Sequence, residues 1–185
     1  MPFFGYQDTL SLDARGRFRA PDRLATMVNQ ALGQVQGAGV AGFPPAGTQR
    51  LAFYFVPGPG RRIFLYPATN IQLAIDNIEH PDVDLADDEI RDLRDYFYRL
   101  LTYVEADKQN RFQIPDALRE HARLDDHVDQ VSVVAHNHYF VLEAAEQAEE
   151  DRIAKRAVFE KRAADLLDPV RRPRRTGGET NETTT

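Results

Sequence analysis

The sequence predicts an α+β fold made of two tandem β-rich half-modules with helices at their periphery, and three observations carry that prediction. First, a ten-residue phrase occurs twice: Asp13-Ala14-Arg15-Gly16-Arg17-Phe18-Arg19-Ala20-Pro21-Asp22 returns as Asp107-Lys108-Gln109-Asn110-Arg111-Phe112-Gln113-Ile114-Pro115-Asp116, with Asp, Arg, Phe, Pro and Asp at the same five offsets. Second, each copy is followed by two short apolar runs separated by turn residues. Third, stretches with helical apolar spacing close the halves. A phrase repeated within 185 residues marks a duplicated module, and a repeat sets the element assignment before local propensity does.

Taken in order, residues Phe3 to Leu12 begin with aromatics and end in the alternating Thr9-Leu10-Ser11-Leu12, which reads as a strand entering the first phrase. The phrase turns the chain back into a hairpin. Gly16 and Asn110 share the offset at which a short reversal needs positive φ, where glycine is free and asparagine the next most tolerant. Pro-Asp then opens helices over Asp22 to Leu32 and Asp116 to Leu124, since proline and acids suit a helix start. Leu51 to Val56 and Arg62 to Tyr66 flank Pro57-Gly58-Pro59-Gly60, while Gln130 to Ala135 and His138 to Leu142 flank Asn137; both pairs read as hairpins. Ile71, Ala74, Ile75 and Ile78 draw one apolar helical stripe, and a helix from Asp87 to Val104 places Ile90, Leu93, Phe97, Leu100, Leu101 and Val104 on one face. The alanine- and charge-rich Glu143 to Leu167 extends the second closing helix.

The resulting organisation is a first repeat over 1–80 with an inserted Gly/Pro-rich loop at about 28–50, a connecting helix over 81–104, and a second repeat over 105–150. A C-terminal helical extension over 151–167 and a disordered basic and polar tail over 168–185, containing Arg171-Arg172-Pro173-Arg174-Arg175, complete the chain.

Composition narrows the function classes. The chain has no cysteine, which removes disulfides, thiol catalysis and cysteine-based zinc sites. Its five histidines show no tight ligand spacing, so no metal and no other cofactor is expected. No apolar run approaches the length of a membrane span and no secretory signal pattern opens the chain, so a cytoplasmic protein without a membrane partner is expected. A net charge of −6 argues against a generally sticky nucleic-acid binder but permits a local basic face.

That face lies in the repeated phrase. An Asp-x-x-x-Arg pattern across a hairpin tip allows the acid to accept turn N–H groups or pair with the arginine, which makes a turn staple. It equally allows Arg17 and Arg111 to reach outward, because the guanidinium fork matches phosphate oxygens and the guanine edge. Arg15, Arg17 and Arg19 alternate and form a basic strip, which the second copy answers more weakly with Lys108, Arg111 and Gln113. The first half is therefore expected to dominate affinity for DNA. No serine-histidine, paired-carboxylate or phosphate-cradling glycine motif accompanies the phrase, so neither enzymatic activity nor a small-molecule substrate is expected.

With both phrases, Phe64-Leu65-Tyr66-Pro67 and the element order together, the chain resembles the MraZ family, bacterial regulators built from two halves like those of the AbrB and SpoVT proteins. The resemblance covers about Phe3 to Phe140. It implies a compact barrel-like core, a ring-shaped homo-oligomer, and binding to short direct repeats in promoter DNA upstream of the division and cell-wall gene cluster, hence a cytoplasmic, nucleoid-associated transcriptional regulator. By position it gives the arginine roles on the DNA-facing surface to Arg17 and Arg111, the acid roles to Asp13 and Asp107 and the turn-glycine role to Gly16. Taken with the basic strip, Arg17 is expected to contact DNA most directly, with Arg15, Arg19, Lys108 and Arg111 in support, while Asp13, Gly16, Asp107 and Asn110 orient the hairpin tips. Asn110 departs from the usual glycine, and Phe4 stands before Gly5 where the family often carries arginine. The alternative expectation is an oligomeric protein-interaction scaffold of the same fold without specific DNA readout.

Overall fold

A computed structural model describes residues 5–35, 51–83, 85–125 and 127–167. Phe4, residues 36–50 of the expected insertion and the basic stretch 171–175 lie outside the described residues. The order is β1 (Gln7–Ser11), β2 (Arg17–Arg19), α1 (Asp22–Val35), β3 (Ala52–Gly58), β4 (Arg62–Pro67), α2 (Ile71–Glu79) and α3 (Asp87–Leu100). It continues with β5 (Thr102–Glu105), β6 (Arg111–Gln113), α4 (Asp116–His121), β7 (Gln130–His136), β8 (Tyr139–Ala144) and α5 (Ala145–Leu167). The class is α+β, and strand, strand, helix, strand, strand, helix runs twice along the chain.

The two runs interlock. In the six-stranded antiparallel sheet the order is β1-β7-β8-β4-β3-β5, so exchanging each strand for its counterpart in the other run reproduces the same order read backwards. The first strand of each run pairs with the other run's third strand: β1 with β7 and β5 with β3. At the centre β4 pairs with β8, and there Arg62 Nε donates to Glu143 Oε2 at 2.7 Å. The sheet stays open, with β1 and β5 at its edges.

A separate two-stranded ribbon, β2 against β6, lies over one face of this sheet in the register Arg17↔Gln113, Phe18↔Phe112, Arg19↔Arg111. This differs from the expected local hairpins. The chain does reverse at each phrase, with Asp13 N donating to Arg17 O and Asp107 N to Arg111 O, both at 2.9 Å, but beyond these the Leu12↔Phe18 bridge is the one β-bridge between a returning strand and the preceding segment among the described residues, and β2 finds its strand partner in the other half. The reason is burial. Alternation along a three-residue strand turns its middle side chain inward, and Phe18 and Phe112 reach a common core only when the ribbon forms across the halves. They stack at 5.6 Å between ring centroids and meet Phe55 at 6.4 and 6.2 Å, while Phe112 also meets Phe53 at 5.3 Å.

Helices α1 and α4 bury Leu24, Val28 and Leu118 in the same core. The carbonyls of Pro21 and Pro115 accept their first helical bonds, from Ala25 N at 3.1 Å and Arg119 N at 2.9 Å. Helix α1 runs on to Val35 and so takes up the start of the segment expected as a loop.

Over the opposite sheet face, α2 and α3 bury Ile71, Ala74 and Phe97 against Val56 and Tyr66. The helix expected to reach Val104 stops at Leu100, and Thr102 to Glu105 extends to pair with β3. Tertiary pairing overrides the helical stripe here, because a β-branched segment that packs Val104 against the core gains more as a strand. Aligned strand for strand, the positions of Ile71, Ala74, Ile75 and Ile78 in α2 are taken by Ala148, Asp151, Arg152 and Lys155 in α5. Helix α5 thus lacks the stripe that covers a sheet. It carries surface pairs instead, Lys155 with Asp151 at 2.9 Å and Arg156 with Glu160 at 2.7 Å, and from Glu149 onward it belongs to a second compact unit.

Because Phe112 joins ribbon to sheet, Phe112→Ala is expected to cost about 3–5 kcal/mol of unfolding free energy. Denaturant titration of the two proteins measures this, and a loss below about 1 kcal/mol contradicts the packing argument.

Candidate nucleic-acid interface

The inward phenylalanines decide what the ribbon shows to solvent. With Phe18 and Phe112 turned into the core, Arg17, Arg19, Arg111 and Gln113 form its outer face. The antiparallel register places the reversals that precede the two strands at opposite ends of the ribbon, Ala14 to Gly16 at one and Lys108 to Asn110 at the other. All five expected DNA-facing cations therefore belong to one ribbon and its two tips. Arg15 sits on the first tip rather than on the strand, so the strip expected from alternation contains only Arg17 and Arg19 on β2.

Each tip is built by the same bonds. Asp13 Oδ1 accepts the N–H groups of Arg15 at 2.9 Å and Arg17 at 3.0 Å, while its Oδ2 accepts Arg17 Nε at 2.7 Å and Nη2 at 2.6 Å. In the second copy Asp107 Oδ1 accepts from Gln109 N at 2.8 Å and Arg111 N at 3.0 Å, and Oδ2 from Arg111 Nε and Nη2, both at 2.7 Å. Each aspartate thus occupies both oxygens on its own tip. The staple holds Arg17 and Arg111, with a quarter to a third of each side chain exposed. Arg15, Arg19 and Lys108 are exposed and make no ion pair among the described residues.

Hydrogen bonding to the arginines holds both carboxyls down, Asp13 at about 2 and Asp107 at about 2. For Asp13 the largest cause is the Arg17 side chain, joined by the backbone N–H groups of Arg17 and Arg15; for Asp107 it is the Arg111 side chain, then the Arg111 N–H. Asp107 also adds to the field that holds the proton on Arg17, so the second tip's acid is felt at the first.

Cross-half bonds fix the tips to the ribbon. Ile114 N donates to Gly16 O at 3.1 Å and, at the equivalent place, Ala20 N donates to Asn110 O at 2.8 Å. Gly16 and Asn110 both take positive φ, +68° and 57°. Gln113 donates its Nε2 to Arg15 O, so the residue standing where the first copy has Arg19 ties down the first tip.

The two tips differ in what stands behind them. A Cβ on Gly16 would lie 2.7 Å from Arg119 Nε, so this glycine is buried under a side chain of α4. Arg119 is held by Leu124 O at 3.2 Å, and two residues along α4 His121 Nε2 meets Gly58 O at 2.9 Å. That carbonyl requires the proton on Nε2, so in the neutral ring Nδ1 accepts from the Tyr96 hydroxyl at 2.7 Å. In the first copy the position of Arg119 is held by Ala25, and Asn110 is exposed.

Cross-half pairing, the Gln113 tie and the Arg119 support escaped sequence reading. The repeat offset signals only part of this: applied upstream of Asp107 it places a strand at Thr102 to Glu105, opposite Asp8 to Ser11. No protein-family model matches the chain, and no curated protein matches it.

Both carboxyl values lie below the ordinary 3.8, so folding favours their charged forms. The stability they contribute is present above about pH 4 and is lost as the pH falls through about 2. Thermal melting between pH 5 and 2 should show a shallower acid loss for the Asp13→Asn, Asp107→Asn double variant than for the wild type. Parallel melting curves would contradict the staple. Gly16→Ala, which meets both the positive φ and Arg119, is expected to cost about 1 kcal/mol or more in the same assay.

Proposed function

We propose that the protein is a sequence-specific DNA-binding transcriptional regulator of the MraZ type, and that the outer face of the β2–β6 ribbon with its two tips is the DNA-contacting surface. One observation carries the reading: a two-stranded ribbon turns its phenylalanines inward and Arg17, Arg19 and Arg111 outward, with Arg15 and Lys108 at its ends. Paired strands stand about 4.8 Å apart, and a major groove about 12 Å wide admits such a ribbon.

Charge placement supports it. Asp87, Asp88, Glu89, Asp92 and Asp95 all sit on α3, which packs on the sheet face opposite the ribbon, so a net acidic chain keeps a basic surface. Arg17 and Arg111 hold the tips in shape, and Arg15, Arg19 and Lys108 supply cations that have no counter-ion among the described residues.

In this reading residues 1–80 and 105–150 are two copies of an AbrB/SpoVT-like half-module, and the ribbon over the sheet is the barrel-like core of that architecture. The protein acts as a binder rather than an enzyme, in the cytoplasm and on the nucleoid, at direct repeats in the promoter of the division and cell-wall gene cluster. A ribbon with few cations neutralises few phosphates, so one subunit binds weakly, and a ring-shaped homo-oligomer multiplies the contacts. Exposed Leu73, Leu93, Tyr96 and Tyr98 on α2 and α3 give self-association an apolar surface away from the ribbon.

Affinity for the chain's own upstream DNA should fall steeply with salt. Arg15→Ala and Arg19→Ala should each weaken binding and, where the cation meets a phosphate, lower the salt slope by about 1 per DNA-bound subunit. Both variants should keep the wild-type oligomeric size. Wild-type binding that does not discriminate this DNA from unrelated duplex, or that ignores salt, rejects the reading in favour of a protein-interaction scaffold.

A further inference from the structure

We infer that the second tip reads adenine in the major groove through the carboxamides of Gln109 and Asn110, while the first tip contributes charge; this rests on the DNA-binding reading above. The two tips share a backbone but not a chemistry. Ala14, Arg15 and Gly16 present one guanidinium, and Gly16 is closed off by Arg119. Lys108, Gln109 and Asn110 are all exposed, and among the described residues neither carboxamide hydrogen-bonds to protein.

Asn110 is the more telling of the two. Its backbone needs φ of 57°, a conformation that glycine adopts freely and that costs any other residue. Asparagine tolerates this region best when its side chain bonds locally, and here the side chain makes no such bond. Folding therefore gains nothing from asparagine over glycine at this position. The local structure also leaves room for it: the place of Arg119, which crowds Gly16, falls to Ala25 in the other half, and Ala25 ends at Cβ.

A carboxamide is the side chain that matches adenine. Its oxygen accepts from the N6 amino group and its NH2 donates to N7, a pair of bonds offered in the major groove by no other base. The tip carrying two such groups sits beside Arg111 and Arg19, which can hold the backbone while the amides meet base edges. The operator segment under the second tip should thus contain adenine, whereas the segment under the first tip, which meets charge alone, should show no such base preference.

The experiment selects duplexes from a random-sequence pool with the full-length protein, then measures Kd for the selected site and for an unrelated duplex. Asn110→Gly and Gln109→Ala are compared with the wild type. Asn110→Gly keeps the positive φ accessible, so it should melt at or above the wild-type temperature. It should weaken the selected site about tenfold and leave the unrelated duplex within about twofold. Replacing the selected adenine by 7-deazaadenine, which lacks the N7 acceptor, should weaken the wild type and leave a variant carrying both Gln109→Ala and Asn110→Gly unaffected. If the wild type is selective but both variants keep its full preference, or if 7-deazaadenine binds the wild type as well as adenine does, the inference falls and the DNA-binding reading stands. A wild type that selects no sequence removes both.

Discussion

The stack of Phe18 on Phe112 is the contact on which the rest of the structure depends. Each phenylalanine is the middle residue of a three-residue strand too short to be stable alone, and each is fully buried only because the two strands pair across the halves. That single burial sets the direction of every other side chain on the ribbon. With the rings turned toward Phe53 and Phe55, the arginines on either side have no choice but to face water. The basic surface is in this sense a by-product of the core.

The same contact makes the two halves obligate partners. Strand β1 completes its ladder on β7 and β5 on β3, so neither half keeps its pairing without the other. Duplication and interlocking together put two differently equipped tips at opposite ends of one ribbon. Divergence between the copies could then accumulate at the tips without disturbing the core. Arg19 against Gln113 and Gly16 against Asn110 are such divergences, and Gln113 has taken a structural duty by holding Arg15 O.

Much of this is legible in the sequence because the phrase is repeated. The turn at Gly16 and Asn110, the helices after Pro21 and Pro115, and the hairpins β3–β4 and β7–β8 all follow from local chemistry that the two copies state independently. What is not legible depends on partners distant along the chain. The exchange of strands between halves leaves no mark on either hairpin's own residues. Thr102 to Glu105 satisfies a helical stripe and a strand equally well until β3 stands beside it. The candidate site divides in the same way: its cations are evident from their offsets, whereas the division between stapled Arg17 and Arg111 and Arg15, Arg19 and Lys108, which make no ion pair among the described residues, needs the geometry of the tips.

The central claim is that the outward face of this ribbon meets DNA, and peptide-resolved hydrogen exchange with and without duplex from the chain's own upstream region tests it most directly. The account predicts slowed exchange in the segments covering residues 13–19 and 107–113, with α3 unchanged. Protection confined to α2 and α3, or no protection anywhere on the chain, would contradict it.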